Sequence, residues 1–286
     1  MAAGGDFRFL SVCSGIEAAS VAWAPLGWKA WGFSEIEPFP CAVLAHHYPD
    51  VPNLGDMTQW RKWPDGRFDL LCGGTPCQSF SIGGFRKGLA DPRGNLALTY
   101  LAIADRYRPD WFVWENVDGV LSSNGGRDFG AFIRGMRKLG YSIAWRVLDA
   151  QYFGCAAPRP RLYMVGHHGG WGSPAAVLFE RESFAGNCEA KTETAPVLTR
   201  LGGMAYDDRT PCILGEDGPR IATPREWERA LGFPDGYTLI PYRGKPAADG
   251  PRYKALGNSW AVNCARWVGR RIELVRDVMA ELDMAA

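Results

Sequence analysis

Cys77 is a strong candidate nucleophile because of the loop that carries it. The loop reads Gly-Gly-Thr-Pro-Cys-Gln-Ser-Phe-Ser over residues 73–81, and an apolar run over 68–72 precedes it. The run predicts a buried strand. The two glycines free the backbone and Pro76 restricts φ just before the cysteine. Open α/β sheets carry reactive groups at the carboxyl ends of strands. A turn that contains a small buried thiol is the alternative.

Polar residues follow three more of the predicted strands. Ser14-Gly15 follows the first strand, Glu35 the second, and Glu115-Asn116 the strand over 111–114. An acid after the second strand can accept hydrogen bonds from ribose hydroxyls. The first turn lacks the Gly-x-Gly-x-x-Gly pattern that cradles a pyrophosphate, which argues against NAD. A nucleoside without phosphates remains compatible, and S-adenosylmethionine is the common one.

Cys77 and Glu115 together suit addition to a conjugated ring. A thiolate can add to carbon 6 of a cytosine while a carboxyl acid supports protonation of ring nitrogen 3. Carbon 5 then becomes nucleophilic and can take a methyl group from a sulfonium. A buried carboxyl with a raised pKa would suit this role. A helix cap or an ion pair at a strand end is the alternative for Glu115.

Strands and helices alternate through the first half of the chain, which predicts a doubly wound, mostly parallel α/β sheet with helices on both faces. The pattern breaks after residue 168, and residues 169–222 read as a small irregular lobe. Helical order returns at Thr223-Pro224, a favourable pair for a helix start. The predicted strands are 7–13, 29–33, 68–72, 111–114, 141–148 and 162–165, and the predicted helices are 17–23, 38–47, 95–107, 128–139 and about 259–282.

Charge and composition indicate which partners and which cellular compartment to expect. The 286 residues carry a net charge of +1, but residues 220–276 hold eleven Lys and Arg against five acids. A local basic face suits phosphate contact, although a solvated helix face is favoured for residues 266–276. Neither a signal peptide nor a membrane-spanning run is present, so we expect a cytoplasmic protein with reduced thiols. The eight cysteines show no zinc-ligand spacing.

Seven short motifs in a fixed order resemble those of the C5-cytosine DNA methyltransferase family. Single motifs such as Glu-Asn-Val are weak signals, whereas the ordered set is highly specific and spans nearly the whole chain. The motifs are Gly55-Asp56, the loop over 73–81, Asp91-Pro92-Arg93-Gly94, Glu115-Asn116-Val117, Arg159-Pro160-Arg161, the segment from Thr223-Pro224-Arg225-Glu226 through Leu231-Gly232-Phe233-Pro234, and Gly257-Asn258-Ser259.

The resemblance implies the class I S-adenosylmethionine-dependent methyltransferase fold. S-adenosyl-L-methionine would be the methyl donor and S-adenosyl-L-homocysteine the product. The implied catalytic residues are Cys77, Glu115, Asn116, Arg159 and Arg161. The implied cofactor contacts are Ser14, Gly15, Ile16, Glu35, Ile36, Asp56, Met57, Pro76, Leu96, Asn258, Ser259 and Trp260.

The resemblance also implies duplex DNA as the partner, with the target cytosine flipped out of the helix. The candidate DNA contacts are Ser81, Thr199, Arg200, Arg225, Arg243 and Lys254, and a surface salt bridge is the alternative for Arg200. We expect a catalytic and cofactor-binding domain over 1–168, a target-recognition domain over 169–252, and a segment over 253–286 that returns to the catalytic domain. We also expect a monomer of bacterial or phage origin without a metal, and a cognate restriction endonuclease as a further partner.

The chain departs from the family pattern at three places. The first motif usually reads Phe-Ala-Gly-x-Gly, but here it is Cys13-Ser14-Gly15-Ile16-Glu17, so the aromatic against adenine and the second glycine are missing. Trp260 or another ring would compensate. Ala156-Ala157 replaces the usual Pro-Gln, and the short lobe predicts a short recognition sequence. An RNA cytosine methyltransferase, a non-catalytic DNA-binding homologue and a Rossmann oxidoreductase are the alternatives.

Overall fold

Six strands form a central sheet in the order β2-β1-β3-β4-β6-β5. The computed structural model describes residues 6–75, 96–156, 158–170, 172–180, 212–215 and 218–285. The strands of the sheet are β1 (Arg8–Val12), β2 (Lys29–Ser34), β3 (Leu70–Gly73), β4 (Trp111–Asn116), β5 (Tyr141–Asp149) and β6 (Pro160–His168).

The first four strands run parallel, as predicted, whereas β6 runs antiparallel to β4 and to β5. A parallel pair needs a long crossover, usually a helix, but an antiparallel pair can be joined by a short connection. Only a short helical turn, Ala150–Phe153, stands between β5 and β6. The mostly parallel sheet is therefore confirmed, and its antiparallel end follows from the absence of a crossover helix.

Helices cover both faces of the sheet. They are α1 (Ala18–Trp23), α2 (Pro38–His47), α3 (Leu96–Tyr107), α4 (Arg127–Lys138), α5 (Gly172–Leu178), α6 (Pro224–Ala230), α7 (Asp249–Asn258) and α8 (Val262–Ala285). Residues of α1 and α8 share one core cluster, and residues of α3 and α4 share the other. Every residue of β3 and of β4 is buried, as expected for strands covered on both faces.

The segment that follows β6 shares a hydrophobic core cluster with the sheet. Val177 and Leu178 of α5 are fully buried in the same core cluster as Trp227 of α6. Two further hairpins are short: β7 (Cys212–Gly215) pairs with β8 (Gly218–Ile221), and β9 (Pro241–Tyr242) pairs with β10 (Lys245–Pro246). The division into domains at 168 and 252 stays a prediction.

Helix α6 begins where the sequence predicted. The Thr223 hydroxyl accepts a hydrogen bond from the Glu226 backbone N–H, and the Glu226 carboxylate accepts one from the Thr223 backbone N–H, which forms a capping box. The last helix begins three residues later than predicted, because Ser259 ends α7 with an extended backbone.

Candidate active site

A cleft lies at the carboxyl ends of β1, β3 and β4 and is closed on one side by the connection between α7 and α8. It encloses about 400 Å³ of empty space, including its open mouth. The strand order reverses direction beside β1, and ligands of open α/β sheets bind at such a switch point. Among the described residues, those that line the cleft are Ser11, Val12, Cys13, Ser14, Gly15, Glu17, Ala18, Ala19, Gly73, Gly74, Glu115, Asn258, Ser259 and Trp260.

The turns after β1 and β2 are joined by the carboxylate of Glu35. Its Oε2 accepts a hydrogen bond from the Gly15 N–H at 2.7 Å, and its Oε1 accepts from the N–H groups of Ile36 and Glu37 at 2.7 and 2.8 Å. Ser14 adds a second link, since its hydroxyl accepts a hydrogen bond from the Ser34 N–H at 3.1 Å. The predicted acid after the second strand therefore lies beside the first motif, while the Ile36 side chain is exposed.

Asp56 and Met57 lie close to the first motif as well. Asp56 caps the helical turn Met57–Lys62 by accepting a hydrogen bond from the Thr58 N–H, and Met57 sulfur lies 3.4 Å from Cys13 sulfur. Burial raises the pKa of the Cys13 thiol to about 12, and the carboxylates of Glu35 and Asp56 raise it further. Cys13 therefore stays protonated.

Ile16 and Leu96 differ from the other predicted cofactor contacts. The Ile16 side chain is fully buried in the core, and its carbonyl accepts a hydrogen bond from the Tyr237 hydroxyl at 2.8 Å. Leu96 starts α3 and packs against the core on the other face of the sheet. Neither residue lines the cleft.

Glu115 and Arg161 form an ion pair at the edge of the cleft. The Arg161 Nε lies 3.4 Å from the Glu115 Oε1. The antiparallel register of β4 and β6 produces this contact, because it places Glu115 opposite Tyr163, two residues from Arg161. Burial raises the pKa of Glu115 to about 7, and the positive charges of Arg161 and Arg159 oppose that rise. Desolvation outweighs both charges, so Glu115 can hold a proton near neutral pH.

Arg159 binds the segment that closes the cleft. Its Nη2 donates hydrogen bonds to the carbonyl oxygens of Gly257 and Ser259 at 2.9 and 2.6 Å. Burial lowers the pKa of Arg159 to about 10, and the nearby charge of Arg161 lowers it further. The guanidinium thereby connects the start of β6 to the turn that carries Asn258 and Trp260.

Hydrogen bonds hold the base of the predicted nucleophile loop at Thr75. The buried Thr75 hydroxyl accepts a hydrogen bond from the Trp114 indole N–H at 3.0 Å, and its carbonyl accepts one from the Asn116 amide at 2.8 Å. A Cβ added at Gly74 would lie 2.9 Å from Glu115 Oε2 and 3.1 Å from Trp260 Nε1. The backbone at Gly74 is thus in close contact with both groups. Cys77 and Pro76 lie outside the described residues.

Three of the six predicted DNA contacts lie in the described part of the chain. Arg225 and Arg243 are exposed, and Lys254 forms an ion pair with Glu37 at 2.8 Å. None of these three lines the cleft. Ser81, Thr199 and Arg200 lie outside the described residues.

Two polar residues at the site, Thr75 and Glu17, were not among the predicted site residues. Thr75 anchors the loop base, and Glu17 lines the cleft with a fully buried carboxyl group. Glu17 has φ 64 and ψ 58, the left-handed conformation that glycine adopts most easily. The missing second glycine of the first motif was the available signal, because glycine is the residue that adopts this conformation most easily.

The described residues contain neither a candidate metal cluster nor a candidate membrane-spanning helix. No group of three or more His, Cys, Asp or Glu side chains there could hold a metal ion. No helix there is long and apolar enough to cross a membrane.

Known proteins resemble this chain in sequence and in fold. The family model described as C-5 cytosine-specific DNA methylase matches residues 7–183. The Type II methyltransferase M.HpaII of Haemophilus parainfluenzae is 30% identical over 93% of this chain and 89% of its own length. A DNA N-6-adenine-methyltransferase of Escherichia phage P1 is 29% identical over 92% of this chain. This chain spans only 60% of the length of that protein. The S. pombe Dnmt2 methyltransferase structure superposes with a TM-score of 0.72, 19% identity, and coverage of 96% of this chain and 99% of that one.

Proposed function

Because the chain belongs to the C-5 cytosine-specific DNA methylase family, we propose that it transfers a methyl group from S-adenosylmethionine to carbon 5 of cytosine in duplex DNA. One observation supports this chemistry above all others. The buried carboxyl of Glu115, with its pKa raised to about 7, lies in the same cleft as the loop base that leads to Cys77.

The lining of the cleft is compatible in charge with a nucleoside that carries a cationic amino-acid arm. A Cβ added at Gly15 would meet no heavy atom within 4 Å, so the space beside the first turn is open. Glu35 lies at that turn, and the cleft lining includes two acids, Glu17 and Glu115, and no basic side chain among the described residues. When bound, S-adenosylmethionine supplies a methyl group on a positively charged sulfur. Ser14, Gly15, Glu35 and Asn258 would hold it.

The proposed reaction begins with the thiolate of Cys77. It forms a bond to carbon 6 of the flipped cytosine, while Glu115 gives its proton to ring nitrogen 3. Carbon 5 then takes the methyl group, and the carbon 5 proton passes to water. Departure of the Cys77 thiolate restores the ring, and nitrogen 3 returns its proton to Glu115. Arg161 holds the Glu115 carboxylate when it is charged, through the 3.4 Å ion pair.

Duplex DNA is the proposed substrate because M.HpaII, which the chain matches over most of both lengths, is a Type II methyltransferase. That relation also motivates a cognate restriction endonuclease as partner. Named relatives come from bacteria and from phages, so we propose that the protein acts in the bacterial cytoplasm. Arg225 and Arg243 are exposed and available for phosphate contact.

Two other substrates remain as outcomes of the test. The short lobe motivates RNA cytosine, and the name of the phage P1 relative motivates adenine in DNA. Expression in a host without DNA methylation, followed by nucleoside analysis of DNA and RNA by mass spectrometry, separates them. We expect 5-methylcytosine in DNA, and bisulfite sequencing would then map the recognition sequence. Methylated RNA alone, N6-methyladenine, or no modification would overturn the proposal.

The role of Cys77 has its own test. Duplex DNA with 5-fluorocytosine at the target position should form an adduct that survives denaturation, because carbon 5 then carries no proton to lose. Cys77→Ser should form none, while Cys41→Ser, a change at a half-buried cysteine at the start of α2, should still form it. An adduct that persists in Cys77→Ser would exclude Cys77 as the nucleophile.

A further inference from the structure

Helix α4 carries a row of positively charged side chains on its outer surface. Arg127, Arg134 and Lys138 follow each other at intervals of seven and four residues, which places them on one side of the helix, and Arg137 lies beside them. All four side chains are exposed. None of them forms an ion pair with another residue in the described part of the chain. These charges are therefore available to a partner outside the protein.

The only acid of α4 is not available to balance this positive charge. Asp128 is buried, and its carboxylate accepts hydrogen bonds from the Ser123 hydroxyl at 2.7 Å and from the Asn124 amide at 3.3 Å. Arg134 and Lys138 lie four residues apart, and like charges at that spacing destabilise a helix. The row of charges is thus unfavourable for α4 unless an anion lies against it.

The helix dipole accounts for only two of the four charges. Arg137 and Lys138 lie in the last turn of α4, where a positive charge is stabilising. Arg127 is the first residue of the helix, where a positive charge is destabilising, and Gly126 before it supplies no side-chain cap. The structure of the helix itself therefore gives no reason for an arginine at position 127.

Gly130 lies on the same side of α4, between Arg127 and Arg134. A Cβ added at Gly130 would lie 3.3 Å from Arg134 Nη1, so the Arg134 guanidinium extends back toward the start of the helix beside bare backbone. Glycine is unfavourable in the middle of a helix. Here it leaves a place without a side chain next to the two arginines, where a phosphate group can approach the helix closely.

The sheet topology places this part of α4 near the edge that holds the cleft. Strands β4 and β5 run parallel to each other, because both pair antiparallel with β6. A helix that connects two parallel strands starts beside the carboxyl end of the first strand and ends beside the amino end of the second. Glu115 lies at the carboxyl end of β4. Arg127 and Arg134 are therefore near the cleft edge, whereas Arg137 and Lys138 lie toward the opposite edge.

We propose that Arg127 and Arg134 bind a phosphate group of the DNA duplex that flanks the target cytosine, on a surface outside the cleft. This inference rests on the proposed function, because a duplex held at the cleft brings its flanking backbone to this edge of the sheet. Guanidinium groups match phosphate oxygens in geometry and charge. Phosphate contacts fix the position of a duplex and do not read its sequence.

The test measures how DNA binding depends on salt. Two duplexes carry the recognition sequence that bisulfite sequencing maps; one ends about three base pairs, roughly 10 Å, beyond it on each side, and the other about fifteen, roughly 50 Å. Binding is followed by fluorescence anisotropy with S-adenosylhomocysteine present. In Arg127→Gln/Arg134→Gln we expect the slope of log K against log salt on the long duplex to become less negative by about two, one for each lost phosphate contact. The slope on the short duplex should stay that of the wild type.

Two matched variants separate a local contact from a change in net charge. Arg137→Gln/Lys138→Gln removes the same charge from the far end of α4 and should keep the wild-type slope on both duplexes. Arg127→Lys/Arg134→Lys keeps the charge and should keep the slope on the long duplex. The urea midpoint of Arg127→Gln/Arg134→Gln should not fall, since this variant removes an unfavourable charge from the helix start.

Three results would overturn this inference alone: a wild-type slope in Arg127→Gln/Arg134→Gln on the long duplex, an equal change on the short duplex, or an equal change in Arg137→Gln/Lys138→Gln. A wild-type protein that methylates cytosine only in RNA, or in neither nucleic acid, would overturn the proposed function and this inference with it.

Discussion

The carboxyl group of Glu115 shows how burial and charge compete at a single residue. Arg161 lies within ion-pairing distance and Arg159 is nearby, yet the pKa is raised because the side chain ends a strand that is buried on both faces. At such a buried position, desolvation strongly disfavours the ionised form of a carboxyl group. At Glu17 burial raises the pKa as well, but there hydrogen bonds from Ser11 and Ser20 oppose the rise. The type of residue was predictable from the sequence, whereas the balance between desolvation and charge depends on the packing.

These raised pKa values predict a pH dependence of stability. Between the unfolded pKa of about 4.5 and the folded pKa of about 7, native Glu115 keeps a proton that the unfolded chain has lost. The unfolded state therefore binds fewer protons, and the free energy of unfolding falls as pH rises through this window. Each such group contributes up to about 1.4 kcal/mol per pH unit. Urea unfolding of Glu115→Gln from pH 4.5 to pH 7 should show a shallower fall than the wild type.

Glu281→Gln on the exposed end of α8 is the matched control and should keep the wild-type slope. A slope in Glu115→Gln equal to that of the wild type would mean that Glu115 is already charged in the folded protein at low pH.

At the scale of elements, the connection between α7 and α8 depends on β6 for its position. Ser259 and Trp260 line the cleft, and Arg159 binds the carbonyl groups on either side of Asn258. An arginine that bonds two buried carbonyl groups acts as a tertiary cap for the end of α7, whose last carbonyls have no partner within the helix. The contact joins residues about one hundred positions apart in the chain.

Arg159→Met should therefore loosen the cofactor side of the cleft. The change removes two hydrogen bonds and leaves buried carbonyls unpaired, which costs about 2–4 kcal/mol of unfolding free energy. We expect weaker binding of S-adenosylhomocysteine in calorimetry together with a lower urea midpoint. Arg271→Met also removes an arginine that donates to backbone carbonyls, those of Ala176 and Val177, but on a surface away from the cleft. This control should lose stability and keep its affinity; a parallel loss of affinity would contradict the role given to Arg159.

At the scale of the whole molecule, a helix near the start of the chain packs against the last helix. Helix α8 packs against α1, where the Trp23 indole N–H donates to the Ala265 carbonyl at 2.8 Å. Gly269 lies directly against Trp23, since an added Cβ would fall 2.5 Å from the indole ring. The C-terminal helix thereby covers the face of the sheet next to β1, whose end opens into the cleft.

Gly269→Ala tests the packing of α8 against α1. Alanine is the better helix former by about 1 kcal/mol, but Trp23 is fully buried and hydrogen-bonded, so overpacking of about 1–3 kcal/mol should prevail. We expect a lower urea midpoint. Gly250→Ala in α7, where an added Cβ meets no atom within 4 Å, gains helix propensity without overpacking and should keep or raise the urea midpoint. A stabilised Gly269→Ala protein would show that α8 can shift away from α1.

The sequence by itself determined the order of the elements, the parallel part of the sheet and the family. Hydrophobic periodicity and motif spacing are local properties, so they survive without knowledge of contacts. The sequence also placed Glu115 and Glu35 at the carboxyl ends of parallel strands, which share one edge of a sheet, whereas Arg161 was implied only by the family resemblance. Tertiary structure alone decided the antiparallel end of the sheet, the ion pair that this register creates and the anchoring role of Arg159. These features depend on desolvation and on contacts between distant residues, which appear only when the chain has folded.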